Sequence, residues 1–271
     1  MIQFECEQCV IFESRLFKTT STVIQTKDCV IVVDPTWLPD EVQDIRDYVD
    51  NIQGDRQVYL LFTHSDWDHI LGYGAFQDAI VIASKNFIET TGKEQIIEQI
   101  KSFDDEYYVD RHYPITYPKV DIVIDQDGQI LEIGETNLTF YQAEGHTNDG
   151  IFAVVEPLGI WIAGDYLSDV EFPYVYYSSV KYEETMLKVE GILNKHQIHF
   201  LVPGHGHITD SETEILKRQK SSLDYIHELR ESIRGDLESY HLIEGYSYLR
   251  GMKSFHDGNV KLIKEELQKF K

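Results

Sequence analysis

The 271 residues carry 47 acidic against 24 basic side chains, a formal net charge of −23. A surface this acidic repels phosphate backbones and anionic lipid, which argues against nucleic-acid and membrane-surface partners. A small anionic substrate is still allowed, because a bound metal can dominate the field inside a cleft.

The length suits a single α/β domain with a large core. Met1-Ile2-Gln3-Phe4-Glu5 lacks a basic segment followed by an apolar run, so no signal peptide is expected. No apolar stretch approaches the roughly 18 residues of a membrane span, and a cytoplasmic location is expected. Three cysteines fit a reducing compartment without a disulfide framework. Cys6 and Cys9 form a lone C-x-x-C with no second ligand pair nearby and no helix-opening context, so both are expected as buried strand residues.

Val23-Ile24 and Cys29 to Val33 read as buried strands, ending at the turn Asp34-Pro35. Asp40 opens a helix through Ile52, with Val42, Ile45 and Val49 spaced by three and four. Val58 to Phe62 is the next strand and runs straight into Thr63-His64. Ala79 to Ala83 is another short buried strand, and residues 85–101 read as one helix with Ile96, Ile97 and Ile100 on one side. The stretch from Phe103 to Pro118 is aromatic and reads as irregular.

Then strands dominate: Val120 to Ile124, Ile130 to Ile133, Leu138 to Gln142, Ile151 to Val155 and Ile160 to Ala163, joined by short turns as in a meander. Tyr182, Met186, Val189 and Leu193 keep helical spacing, and Ile198 to Val202 is a last buried strand. Ser211-x-x-Glu214 is a capping-box pattern that opens a long helix, and a final helix is expected over roughly 258–270. Mixed strands with helices at intervals suggest two sheets between helical layers, αββα, one of several architectures the pattern allows.

The segment richest in chemistry is Thr63-His64-Ser65-Asp66-Trp67-Asp68-His69, four candidate ligands in six residues directly after a buried strand. A strand fixes the first residue of such a loop, and the short loop folds the rest round a point, as a metal site requires. A solvated turn would explain Asp and Ser, but not two histidines and a tryptophan. His146 in a glycine-flanked loop, Asp165 at a strand end and His205 in Pro-Gly-His repeat the device.

In these motifs the chain resembles the metallo-β-lactamase superfamily, whose pattern is a strand, His-x-His-x-Asp-His, Gly-His-Thr, Gly-Asp and a late Gly-His. Here they stand as H-S-D-W-D-H, G-H-T, G-D and P-G-H, over roughly residues 20–210. The resemblance implies a four-layer αββα sandwich in one domain over residues 1–271, with a C-terminal helical extension over about 211–271. It also implies two divalent metal ions. His64 and His146 would hold the first, with Asp66 in the place of the second His; Asp68, His69 and His205 would hold the second, and Asp165 would bridge them. His207 is the rival to His205, and the other histidines lack such a context. Asp34 is expected to be structural or to act behind the ligands rather than as one of them.

Zinc is the first expectation for the ions; the carboxylate of Asp66 leans toward iron or manganese. The implied activity is attack of a metal-bound hydroxide, oriented by Asp68, on an ester-type bond of a small molecule. A thioester, lactone or phosphoester would serve. The run Phe172 to Tyr177 either lines the pocket or packs. Two other readings are a non-haem diiron redox enzyme, which Asp66 favours and the missing flavodoxin-like domain disfavours, and a catalytically silent metal-binding sensor.

Overall fold

Residues 1–269 are described by a computed structural model. The first sheet holds seven strands in sequence order: β1 (Ile2–Cys6), β2 (Cys9–Glu13), β3 (Thr20–Gln25), β4 (Cys29–Val33), β5 (Gln57–Leu61), β6 (Ile80–Ser84) and β7 (Ile122–Ile124). Strands β1 to β4 are antiparallel, and β4 to β7 are parallel. The second sheet holds β8 (Ile130–Ile133), β9 (Thr136–Gln142), β10 (Ile151–Glu156), β11 (Ile160–Ile162) and β12 (Phe200–Val202) in the order β12-β11-β10-β9-β8.

The central strands are apolar at every position because both of their faces are buried. In β4, Cys29, Ile31 and Val33 join the layer between the sheets, while Val30 and Val32 face outward. In β10, Ile151, Ala153 and Val155 point into that same layer and Phe152 and Val154 point away. The outer face of the first sheet is covered by α1 (Pro39–Ile52) through Val42, Ile45 and Val49, and by α4 (Lys93–Tyr107) through Ile100. On the second sheet lie α5 (Ser179–Met186), α6 (Val189–Lys195), α7 (Glu212–Arg234) and α8 (Leu249–Lys269). Helix, sheet, sheet, helix is the αββα order expected. Single-turn α2 (Trp67–Ile70) and short α3 (Lys85–Glu89) are the remaining α-helices among the described residues.

Four expectations need correction. The helix over 85–101 is two helices, because Thr90-Thr91-Gly92 breaks it and Thr90 is extended at φ −55°, ψ 133°. Helix α4 then runs on to Tyr107, so part of the supposedly irregular aromatic stretch is helical; it stops where Tyr108 turns left-handed at φ 55°. Strand β7 does not join the meander but pairs parallel with β6. The last helix begins at Leu249, since neither Gly251 nor Gly258 interrupts it, and residue 270 lies outside the described residues.

The helical spacing over 182–193 is shared between α5 and α6. Ser211 does cap α7, its Oγ accepting from the Glu214 N–H at 3.3 Å. Cys9 is buried and Cys6 partly so, facing each other across β1 and β2 as free thiols.

Candidate metal centre

Every predicted ligand stands at the C-terminal end of a strand, along one edge of the sandwich. His64, Asp66, Asp68 and His69 follow β5, His146 follows β9, Asp165 follows β11 and His205 follows β12. The two sheets are laced together at this edge. Ile151 N–H donates to the Thr63 carbonyl at 2.9 Å and Thr20 N–H to the Gly204 carbonyl at 2.7 Å. Gly204 is required by a close approach: a Cβ there would collide with Asp165 Oδ1 and the Gly164 backbone.

Asp165 is the hub. Its Oδ1 lies 3.1 Å from His69 Nε2; its Oδ2 lies 3.6, 3.2 and 3.4 Å from the Nε2 atoms of His64, His146 and His205. Asp66 Oδ2 adds a donor 3.2 Å from His146 Nε2, and Asp68 Oδ2 stands 3.7 Å from His69 and 3.5 Å from His205. Among the described residues, three donor groups result: His64, Asp66, His146 and Asp165; Asp68, His69 and His205; and Asp34 with His64 and His69, in which Asp34 meets the Nδ1 side of His69. The first two are the nests that face the hub.

The opposite ring nitrogens explain why four imidazoles point the same way. His146 Nδ1 donates to the Tyr174 carbonyl at 2.7 Å, and His205 Nδ1 to the Phe17 carbonyl at 2.9 Å. His69 Nδ1 donates to Asp34 Oδ2 at 3.0 Å. His64 Nδ1 donates to Thr63 Oγ1 at 2.9 Å, which in turn donates to the same Asp34 oxygen at 2.5 Å. Each Nδ1 thus holds a proton, and each Nε2 faces the hub.

Whether metal fits can be read from what these atoms lack. Nε2 of His64, His69 and His146 and Oδ1 of Asp165 are buried with no hydrogen-bond partner. Buried polar atoms are rarely left so, and a cation is the partner that lone pairs and carboxylates together require. Donors about 2.0–2.2 Å from a tetrahedral zinc lie roughly 3.3–3.6 Å apart, close to the separations here. These residues are positioned to bind metal ions.

Electrostatics say the same. Burial and the neighbouring His69 push the His64 pKa down to about 4. Burial would also lower His69 and His146, but Asp165, with Asp68 and Asp34 at His69 and Asp66 at His146, carries both well above the ordinary histidine value. Burial would raise Asp165, yet His69 and His205 hold it well below the usual carboxylate range. Asp68 is raised, chiefly by its own burial. Without metal, protons occupy the place of cations.

His207 is not part of this cluster; it is half exposed and pairs with Asp169 at 2.8 Å. His196 and His256 are buried and hydrogen-bonded to the Tyr141 and Tyr225 hydroxyls, as packed histidines are. The run after Asp165 divides: Tyr174 and Tyr176 line the metal cavity, whereas Phe172 and Val175 are core.

The cavity over the ligands has a volume of ≈ 410 Å³ and is also walled by Trp37, Trp67, Phe255 and Glu171. Sequence reasoning passed over Thr63, whose hydroxyl carries the link from His64 to Asp34, and Glu171, whose carboxyl burial pushes up to about 7. Thr63 could have been found from its place between a strand and a histidine. Glu171 carries no sequence signal.

The family model of the metallo-beta-lactamase superfamily matches residues 15–224, and the chain belongs to that superfamily. Its members are generally metal-dependent hydrolases. Among solved structures, a metallo-beta-lactamase family protein from Thermus thermophilus is similar at TM-score 0.68 and 15% identity, covering 97% of this chain and 94% of that one. A variant of a sec-alkyl sulfatase, PisA1, is similar at TM-score 0.66 and 11% identity; 86% of this chain is covered but only 42% of that one, less than half its length. A B3 metallo-beta-lactamase with an active-site glutamic acid matches at TM-score 0.56 and 17% identity, covering 82% and 89%. These likenesses concern the fold. A search of curated proteins finds no match.

Proposed function

We propose that the chain is a metal-dependent hydrolase that cleaves an ester-type bond of a small molecule, with two divalent ions, zinc first, in the two donor nests. The observation that carries this reading is the convergence of four protein-oriented Nε2 atoms on Asp165. His64, Asp66 and His146 would hold one ion, Asp68, His69 and His205 the other, and Asp165 both. Such ions supply Lewis acidity and bring the pKa of water to about 7.

The residues of the chain then have distinct tasks. Asp34 and Thr63 fix the His64 and His69 rings, so these two need not reorganise during reaction. Asp68, with a carboxylate oxygen facing the cavity, would accept and orient a water proton. Trp37, Tyr176 and Phe255 give the cavity an aromatic lining beside the ligands. A carboxylate at position 66 makes this nest harder than three imidazoles would, which keeps iron or manganese as the alternative filling. The acidic surface disfavours nucleic acid as substrate, and a cytoplasmic location is part of the same proposal.

A panel of p-nitrophenyl acetate, a thioester, a lactone and bis-p-nitrophenyl phosphate tests the reading. Turnover of at least one, abolished by a chelator and reduced at least 100-fold by Asp68→Ala, is expected. Metal bound without turnover of any would instead favour a sensor, and redox-active iron a diiron enzyme.

A further inference from the structure

Beside the metal cavity runs a larger groove of ≈ 790 Å³ between the β2–β3 loop and helix α4. Its walls are apolar, made by Leu16, Phe17, Leu38, Trp67, Phe103 and Tyr107. Phe17, Trp67 and Gln99 line both the groove and the metal cavity, so the two adjoin across these side chains. Trp67 stands between Asp66 and Asp68 in sequence, and its ring meets Trp37 at 4.7 Å and Phe103 at 5.4 Å. The apolar wall therefore begins within one residue of the ligands.

Two features show that this surface is exposed at a cost. Phe17 is 56% exposed and sits in the left-handed region at φ 53°, an unfavourable conformation for a bulky side chain. Its carbonyl orients His205, while its ring stands at the junction of groove and cavity. Tyr107, at the far end, is 59% exposed. In a chain of net charge −23, a contiguous apolar trough leading to the candidate metal centre marks a binding surface rather than chance exposure.

Resting on the hydrolase reading, we infer that the groove holds an apolar tail of the substrate, so that the substrate class is an ester bearing a long alkyl or acyl chain. The tail lies along α4 and the scissile group reaches the ligands past Trp67. Polar side chains on the rim, Gln95, Glu98 and Ser102, suit a groove open to water along one side.

Neutral amides that cannot be turned over test this independently of hydrolysis. Binding of N-methylbutanamide, N-methyloctanamide and N-methyldecanamide to the metal-loaded protein is followed by tryptophan fluorescence, which Trp67 and Trp37 report. Kd is expected to fall about twofold per methylene, half the effect of full burial, and so roughly 60-fold from butyl to decyl. Ser102→Glu, an exposed substitution that puts a charge in the groove, is expected to flatten that dependence. A Kd independent of chain length overturns the inference. So does a concentration-dependent dimer that Ser102→Glu splits, because the groove would then be covered by a second copy. Chain-length-dependent binding with no ester turnover would keep the groove as the seat of an apolar tail but overturn the hydrolase reading, and with it the ester as the substrate class.

Discussion

Asp34 shows how much one side chain can organise without touching a substrate. It sits at the end of β4 with φ 43°, accepts from the Thr63 N–H, the Thr63 hydroxyl and His69, and through Thr63 holds His64 as well. Asp34→Asn keeps the size but removes the charge that fixes two rings. It should lower metal affinity about 10–100-fold with the fold intact; a chelator competition measures this, and unchanged affinity would deny Asp34 the role. Protons compete for the same lone pairs. Burial alone would lower the His205 pKa, yet Glu171, Asp165 and Asp68 carry it to about 10. A raised folded-state value means that the metal-free protein is stabilised by this proton below about 6.5 and loses that stability as pH rises toward 10. Metal must displace those protons, so the gain in Tm on adding zinc should be larger at pH 8 than at pH 6. An equal gain at both values would contradict the charge state described.

At the scale of elements, helix α4 matters most, because it walls the groove and stacks Phe103 against Trp37 and Trp67. Its C-terminal end is clamped by Arg111, which is buried and forks onto both Asp104 oxygens at 2.8 Å while donating to the Trp37 carbonyl at 2.7 Å. Removing the guanidinium strands a largely buried carboxylate. Arg111→Ala should cost about 3 kcal/mol or more in denaturant unfolding, whereas a loss under about 1 kcal/mol would mean a surface pair. This helix also shows what the chain pattern conceals. Its apolar spacing was visible from Ile96 to Ile100, but its start and end depend on Thr90-Thr91-Gly92 and on Tyr108 adopting a left-handed cap, which periodicity does not report. Strand β7 reads like the meander strands after it; only its parallel register against β6 assigns it to the other sheet.

Across the whole molecule, two sheets with independent hydrogen-bond ladders end on one edge, and the ligands are divided between them. The first sheet contributes His64, Asp66, Asp68 and His69; the second contributes His146, Asp165 and His205. Their convergence therefore depends on the apolar layer between the sheets, where Phe140, Ile31 and Leu61 are fully buried. The candidate ligands themselves were legible in the sequence, because their loops follow apolar runs, Gly145 precedes His146 and glycines flank His205. Thr63, next to His64, aside, what was not legible was what surrounds and aims them: the backbone carbonyls of Phe17 and Tyr174 and the buried Glu171 come from segments distant in sequence. Such partners leave no local pattern; only the folded chain brings them together.

The most direct test is the metal content of the purified protein, measured by elemental mass spectrometry beside His146→Ala and Asp66→His variants. About two divalent ions per chain, reduced to about one or fewer by His146→Ala, are predicted; Asp66→His should retain the ions and shift preference from iron or manganese toward zinc. No bound metal after reconstitution with zinc, manganese or iron would contradict the account at its centre.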